Sequence, residues 1–264
     1  MTVLSTRLVS VSFGGVRAVV GVDLDVEPGQ LVGLIGPNGA GKTTFIDAVT
    51  GFVPHEGTVS IDGVDVTGTA PHVRARRGLV RTWQATELFD DLTVRENLTV
   101  AARHPTPVQT LRELFWRPIS GDDAVDAVLE RFALGDLAEA LPSDLSQGQR
   151  KIVSVARALA AKPKLLLLDE PAAGLDARES ATLGLQMRAI VDDGVPILLV
   201  DHDMGLVLGI SDQIVVIERG SVIGKGTPGE IRENPRVVEA YLGAGAGHRL
   251  TTTESAAAAD GGWS

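Results

Sequence analysis

From Gly36 to Thr43 the chain reads GPNGAGKT, three glycines and a lysine set between the apolar run LVGLI and a helix-like segment. Glycine lets backbone N–H groups approach a ligand closely, and the spacing Gly-x-x-x-x-Gly-Lys-Thr fits a loop whose amides cradle phosphates at a helix N-terminus. The loop and the first helical turn, Gly36, Pro37, Asn38, Gly39, Ala40, Gly41, Lys42, Thr43 and Thr44, are expected to bind a nucleoside triphosphate. Lys42 would add a full positive charge near the β- and γ-phosphates, and the Thr43 hydroxyl is suited to ligate Mg²⁺.

A second group of chemically capable residues lies far along the chain. The run LLLLDEP ends in Asp169 and Glu170, two carboxylates at a strand terminus, where parallel sheets build ligand sites. Asp169 is placed to hold the metal directly or through water, and Glu170 to orient or deprotonate an attacking water. His202 follows the apolar run ILLV in the same manner. A lone histidine there is open to a structural as well as a catalytic reading.

Strands and helices must position these groups. The Val-, Ile- and Leu-rich runs LVSVSF, LVGLIG, KLLLLD, VPILLVDHD and QIVVIERG read as strands, and GTVSIDGVDV as a hairpin. A helix is expected from Lys42 to about Thr50, stopped by Gly51, with others over ARESATLGLQMRAIVDD and after Asp203. Strands alternating with helices imply a parallel sheet covered on both faces, hence an α/β fold. Residues 86–161 are poor in strand signals and read as a helical subdomain, while the small-residue tail from Gly243 is expected to be disordered.

Composition narrows the function. With 24 Lys+Arg against 34 Asp+Glu the net charge is -10, which argues against a broad basic surface, so no nucleic-acid partner is expected. There is no cysteine, which removes disulfides, thiolate metal sites and cysteine nucleophiles. The N-terminus lacks a basic segment followed by a long apolar one, and no apolar run approaches a membrane span, so a membrane role is expected to be peripheral.

Further motifs in fixed order complete the pattern: TWQATELF containing Gln84, LSQGQRK at Leu145–Lys151, and AAGLD ending in Asp176. Ser146 and Gln149 form a capping-box arrangement, followed by Ile152, Val155, Ala156 and Leu159 at helical spacing. With these motifs the chain resembles the ATPase subunits of ABC transporters over about Leu4–Gly243. That resemblance implies a phosphate-loop cassette over residues 1–243 with a mainly parallel core sheet, an N-terminal antiparallel β-subdomain and the helical insertion, with residues 244–264 as the tail.

The resemblance also implies roles. Ser146, Gln147, Gly148 and Gln149, as the signature motif, and Asp176, as the D-loop, would contact ATP held by a second cassette in a head-to-tail dimer. Gln84 would sense Mg²⁺, and His202 would be the switch histidine beside Glu170. Phe13 matches the aromatic that stacks on adenine, its other reading being a core aromatic. Gln147 departs from the usual glycine of the signature, while Gly148 is retained.

The stretches LTVRENLTVAARH, DHDMGLVLGISDQIVVIERGSVIGKGTPGEI and NPRVVEAYLG resemble the branch that energises branched-chain amino acid importers. This implies ATP and Mg²⁺, a second ATPase that is a paralogue or a copy of itself, two transmembrane permeases and, indirectly, an external solute-binding protein. It also implies a peripheral place on the cytoplasmic face of the cell membrane. Relatives that move urea, amides or lipopolysaccharide, and soluble ABC ATPases without transport, are the alternatives. RHPTPVQTLRELFWRPISGDD is read either as part of the permease-docking region or as a surface insertion. A GTPase is disfavoured because no Asn/Thr-Lys-x-Asp element for guanine is found.

Overall fold

The computed structural model describes residues 2–82, 88–102 and 122–242. Its frame is a six-stranded sheet in the order β10-β9-β3-β8-β7-β6. These strands are β3 (Leu31–Ile35), β6 (Leu79–Arg81), β7 (Leu165–Asp169), β8 (Ile197–Val200), β9 (Gln213–Glu218) and β10 (Ser221–Gly226). All neighbours pair in parallel except β9 with β10. A second sheet, β2-β1-β4-β5, is antiparallel and comprises β1 (Leu4–Phe13), β2 (Val16–Val26), β4 (Glu56–Ile61) and β5 (Val64–Asp65).

Every residue of β3, β7 and β8 is buried, as expected for central strands of a parallel sheet covered on both faces. The two-residue period of a strand sorts their side chains into two cores. Leu31, Ile35, Leu166, Leu168, Ile197 and Leu199 join the core that holds most of the helices. Val32, Leu34, Leu165, Leu167, Leu198 and Val200 join a core shared with helix α1 (Lys42–Thr50) and the antiparallel sheet. The continuous apolar runs of the sequence are therefore strands with two dry faces.

The α1 helix ends at Gly51, whose φ of 84° is the left-handed cap that lets its amide reach back to Ala48 O at 3.1 Å. A second cap comes from helix α2 (Pro71–Arg76). Buried Arg74 donates from Nη1 to Ala48 O and Val49 O at 2.8 and 2.7 Å, placing a cation on the last carbonyls of α1. Nothing in the local sequence announces this contact.

Between β6 and β7 lie helices α3 (Val94–Ala102), α4 (Asp122–Arg131) and α5 (Gln147–Ala160), with two short 3₁₀ turns. Val94, Leu98, Val125, Leu129, Phe132 and Val153 bury together in the helix-bearing core. The remaining helices among the described residues are α6 (Ala177–Asp192), α7 (Met204–Ile210), α8 (Pro228–Glu233) and α9 (Pro235–Leu242). Among the described residues no helix is long and apolar enough to cross a membrane. The RHPTPVQTLRELFWRPISGDD stretch, except Asp122 and Asp123, and the tail from Gly243 lie outside the described residues.

The face of α5 expected at Ile152, Val155, Ala156 and Leu159 packs against the helix-bearing core, as part of a wider buried surface. Ile152 and Leu159 of α5 are only half-buried, while Val153, Ser154, Ala158 and Ala160 are buried with Val155 and Ala156. The helix is packed around more than one face, so its burial exceeds the single stripe that its i, i+3, i+4, i+7 spacing suggests.

Candidate active site

The strand order places three loops side by side. β3 lies between β9 and β8, and β8 between β3 and β7, so the carboxyl ends of β3, β8 and β7 open along one edge. From them emerge Gly36–Lys42, Asp201–His202 and Asp169–Glu170. Segments more than 160 residues apart in the chain thus meet at the edge where open α/β sheets bind ligands.

The loop from Gly36 to Gly41 joins β3 to α1. Two of its glycines are demanded by close packing. A Cβ on Gly36 would sit 2.0 Å from Ile217 O, and one on Gly41, whose φ is 103°, would sit 2.4 Å from Ala18 O. Gly41 occupies the N-cap of α1 without any side-chain cap, so the first amides of the helix remain available to an anion. Thr43 and Thr44 stand in that first turn, Thr43 exposed and Thr44 half-buried.

Lys42 is buried, and its Nζ donates to Gly36 O at 2.7 Å and Pro37 O at 3.1 Å. Burial lowers its pKa, and the charges of Glu170, Asp169 and Asp201 act in the opposite sense. The lysine predicted to meet phosphate is therefore already held over the loop, facing the carboxylates. On the loop's other side the Tyr241 phenol of α9 is raised above its ordinary pKa by burial and hydrogen-bonds to the Gly36 backbone. A cleft beside Pro37–Ala40 is lined by Arg219, Arg236 and Glu239. It contains none of Lys42, Asp169, Glu170 and His202.

Asp169 is 3% exposed and accepts from Arg81 Nη2 at 2.8 Å. Arg81, at the end of β6, also reaches Asp47 of α1. This bridge between β6, α1 and β7 was not foreseen; its one sequence signal is an arginine closing the short run GLVR, three residues before Gln84. Gln84 itself lies outside the described residues.

Glu170 adopts φ 49°, a left-handed conformation in which a non-glycine residue is strained. Its amide donates to Val200 O at 2.7 Å. Its Oε2 lies 3.9 Å from His202 Nδ1, adjacent but beyond hydrogen-bond range. The His202 side chain is 55% exposed, so it stands beside the carboxylate and open to a ligand, not in a structural core. Phe13, at the end of β1, is 52% exposed, which rules out the core-aromatic reading.

The Leu145–Lys151 segment caps its own helix. Ser146 Oγ accepts from Gln149 N at 3.2 Å while Gln149 Oε1 accepts from Ser146 N at 2.8 Å, the capping box expected from the sequence. Asp176 does the same for α6, accepting from Arg178 N and Glu179 N at 2.8 Å each. A Cβ on Gly174 would meet Gln147 Nε2 at 2.8 Å, so the Gln147 side chain lies against the Gly174 turn of the same chain. Among the described residues no hydrogen bond or ion pair joins Ser146, Gln147, Gly148 or Gln149 to the Gly36–Thr44 loop. Ser146→Ala should lower stability by about 1 kcal/mol, measured by urea denaturation; no shift in the midpoint would show the cap to be idle.

A phosphate loop, a paired Asp169–Glu170 at the next-but-one strand end and a histidine between them define a phosphate-loop nucleoside triphosphatase. The chain belongs to the ABC transporter family, whose family model matches residues 19–173. A second model, for the branched-chain amino acid ATP-binding cassette transporter, matches residues 221–247.

Among its relatives is the high-affinity branched-chain amino acid transport ATP-binding protein BraF of Pseudomonas aeruginosa, 41% identical over 91% of this chain and 98% of that protein. LivG of Escherichia coli K12, with the same description, is 40% identical over 91% and 97%. LptB of the same organism, a lipopolysaccharide export system ATP-binding protein, is 34% identical over 92% and 98%. The ADP conformation of MJ1267, an ATP-binding cassette of an ABC transporter, superposes with a TM-score of 0.79 at 31% identity, covering 92% of this chain and 99% of that one. The chain is accordingly an ABC-type ATPase that binds ATP, and membership in the family gives it membrane permeases as partners.

Proposed function

We propose that this chain is the ATP-hydrolysing subunit of an importer for branched-chain amino acids. The observation that carries the reading is the match of residues 221–247 to the branched-chain transporter model, because this segment lies outside the cassette core matched over residues 19–173. The names of BraF and LivG support the same substrate class.

In this reading ATP sits on the Gly36–Thr44 loop with adenine against Phe13, and α3–α5 form the helical subdomain within a cassette spanning residues 1–243. Ser146, Gln147, Gly148, Gln149 and Asp176 meet the nucleotide of a second cassette, a paralogue or a second copy, in a head-to-tail dimer. A ligand shifts a conformational equilibrium only by its differential affinity for the two states, so contact with both cassettes is what would let ATP drive closure. Closure then switches two permeases that receive substrate from an external binding protein, with the cassette peripheral on the cytoplasmic face.

Glu170 would accept a proton from the attacking water, and His202 would hydrogen-bond the γ-phosphate or that water. Mg²⁺, when bound, supplies charge that stabilises the phosphate oxygens. The donor set fits it: the Thr43 hydroxyl is exposed in the first turn of α1, and the Asp169 carboxylate ends β7. A Mg²⁺ held mainly by phosphate and water needs only one or two protein oxygens. Thr43 and Asp169 supply these, with Gln84 as a third candidate.

The test is to tag the chain in its native cell, purify it gently from detergent-solubilised membranes and identify co-purifying proteins by mass spectrometry. Two multi-span permeases and a second cassette are expected, followed by loss of leucine, isoleucine and valine uptake when the gene is deleted. Recovery from the soluble fraction without a membrane partner would overturn the transporter reading. Intact uptake of all three amino acids after deletion would overturn the substrate assignment.

A further inference from the structure

Lys151 lies two residues beyond the Ser146–Gln149 capping box, on α5, yet its side chain does not face solvent. The residue is 6% exposed, and its Nζ donates to Glu170 O at 3.4 Å. Burial lowers the pKa of this ammonium, and the charges of Asp201, then Glu170 and Asp169, oppose that shift. A buried cation is retained at low energy only where opposite charge and hydrogen bonds surround it.

Asp201 is the other half of the arrangement. It is 0% exposed and makes three hydrogen bonds with backbone amides. Its Oδ1 accepts from His202 N at 2.7 Å and Asp203 N at 3.0 Å, and its Oδ2 accepts from Ala172 N at 3.0 Å. One carboxylate therefore ties the start of the His202 loop to the residue two places beyond Glu170. Glu170 itself is held in its left-handed conformation by its amide on Val200 O, by Ala173 N on its carbonyl at 3.2 Å, and by Lys151 on that same carbonyl. A strained residue keeps such a conformation only when its surroundings over-determine it.

We infer that Lys151 and Asp201 are positioning residues for ATP hydrolysis: they set the 3.9 Å juxtaposition of Glu170 and His202 and tie it to the helix that begins at Ser146. Through Lys151, a displacement of the α5 N-terminus reaches the Glu170 backbone directly, without passing through the nucleotide. Asp201 carries the constraint on to His202. The inference rests on Glu170 being the group that activates water, and its test separates the two.

The full-length chain is assayed for ATP turnover and for binding of the non-hydrolysable analogue adenylyl imidodiphosphate, with folding checked by thermal melting. Because a misplacement of about 1 Å can slow catalysis about 100-fold, Lys151→Met and Asp201→Asn should each lower kcat by about that factor. Analogue affinity and KM for ATP should stay within about threefold, the pattern of an interaction used in the chemical step. Lys151→Arg, which keeps the charge, should recover most of the kcat. The double variant should be no slower than the slower single one, as for residues acting as a unit.

Wild-type kcat in Lys151→Met overturns the inference. So does analogue affinity that falls in step with kcat, or an arginine variant as slow as the methionine one. If Lys151→Met does not fold, the double variant carries the test, since it leaves no unpaired buried charge; wild-type kcat there is equally fatal. Glu170→Gln is run alongside: turnover at the wild-type rate would remove Glu170 from the chemistry and this inference with it. A Glu170→Gln variant that loses turnover beside a fully active Lys151→Met would sink the positioning role alone.

Discussion

Glu170→Gln should reduce steady-state ATP hydrolysis by about 10²–10⁴-fold, the range contributed by a positioned general base, while ATP binding is retained. The amide matches the carboxylate in size but cannot take a proton. The backbone contacts that hold position 170, from its amide to Val200 O and from Lys151 and Ala173 to its carbonyl, do not depend on the carboxylate. The bound nucleotide should therefore be recovered as ATP, with the closed two-cassette form accumulating. Phosphate release and the nucleotide retained after rapid gel filtration measure the two effects. Wild-type turnover would remove Glu170 from the chemistry. Loss of ATP binding together with turnover would mean that the residue shapes the pocket instead.

Arg81→Ala is expected to be the most destabilising single substitution near the site. The guanidinium bridges Asp47 and Asp169, and the Arg81 and Asp169 side chains are only 6% and 4% exposed. Removing it strands a buried carboxylate, for which a loss of about 3–5 kcal/mol is typical. The urea midpoint should fall with little change in slope, the mark of altered stability rather than altered compactness. Adding Asp169→Asn should restore part of the loss, because the stranded charge is then gone. A loss no larger than that of Ser146→Ala would show that the bridge contributes no more than a surface pair.

The chemistry was legible in the sequence because it depends on residue type at fixed local spacing. Gly36 through Thr43 sit on one loop and one helical turn, Ser146 and Gln149 three residues apart on another, and neither needs a tertiary contact to be recognised. The strands were legible for a related reason: runs such as LLLL at 165–168 and ILLV have two dry faces, so every residue is apolar. Period-two reasoning then failed to say which core each side chain enters, since both faces accept the same residue types.

What escaped were single residues whose partners lie far away in the chain. Arg74 caps a helix 25 residues upstream, and Arg81 meets Asp169 88 residues downstream. Lys151 and Asp201 lie within the quoted runs LSQGQRK and VPILLVDHD, yet nothing in either run marks their side chains as buried. A charge in a sequence carries no mark of whether it faces water or a buried opposite charge, because desolvation and Coulomb attraction are set by what the fold brings alongside. The sequence by itself thus determined the phosphate loop, the carboxylate pair, the capped helices and the family. Only the tertiary structure decided the order β9-β3-β8-β7 that assembles the loops at one edge, the strained backbone at Glu170 and the buried charges that hold it, since strand order and burial are properties of long-range packing.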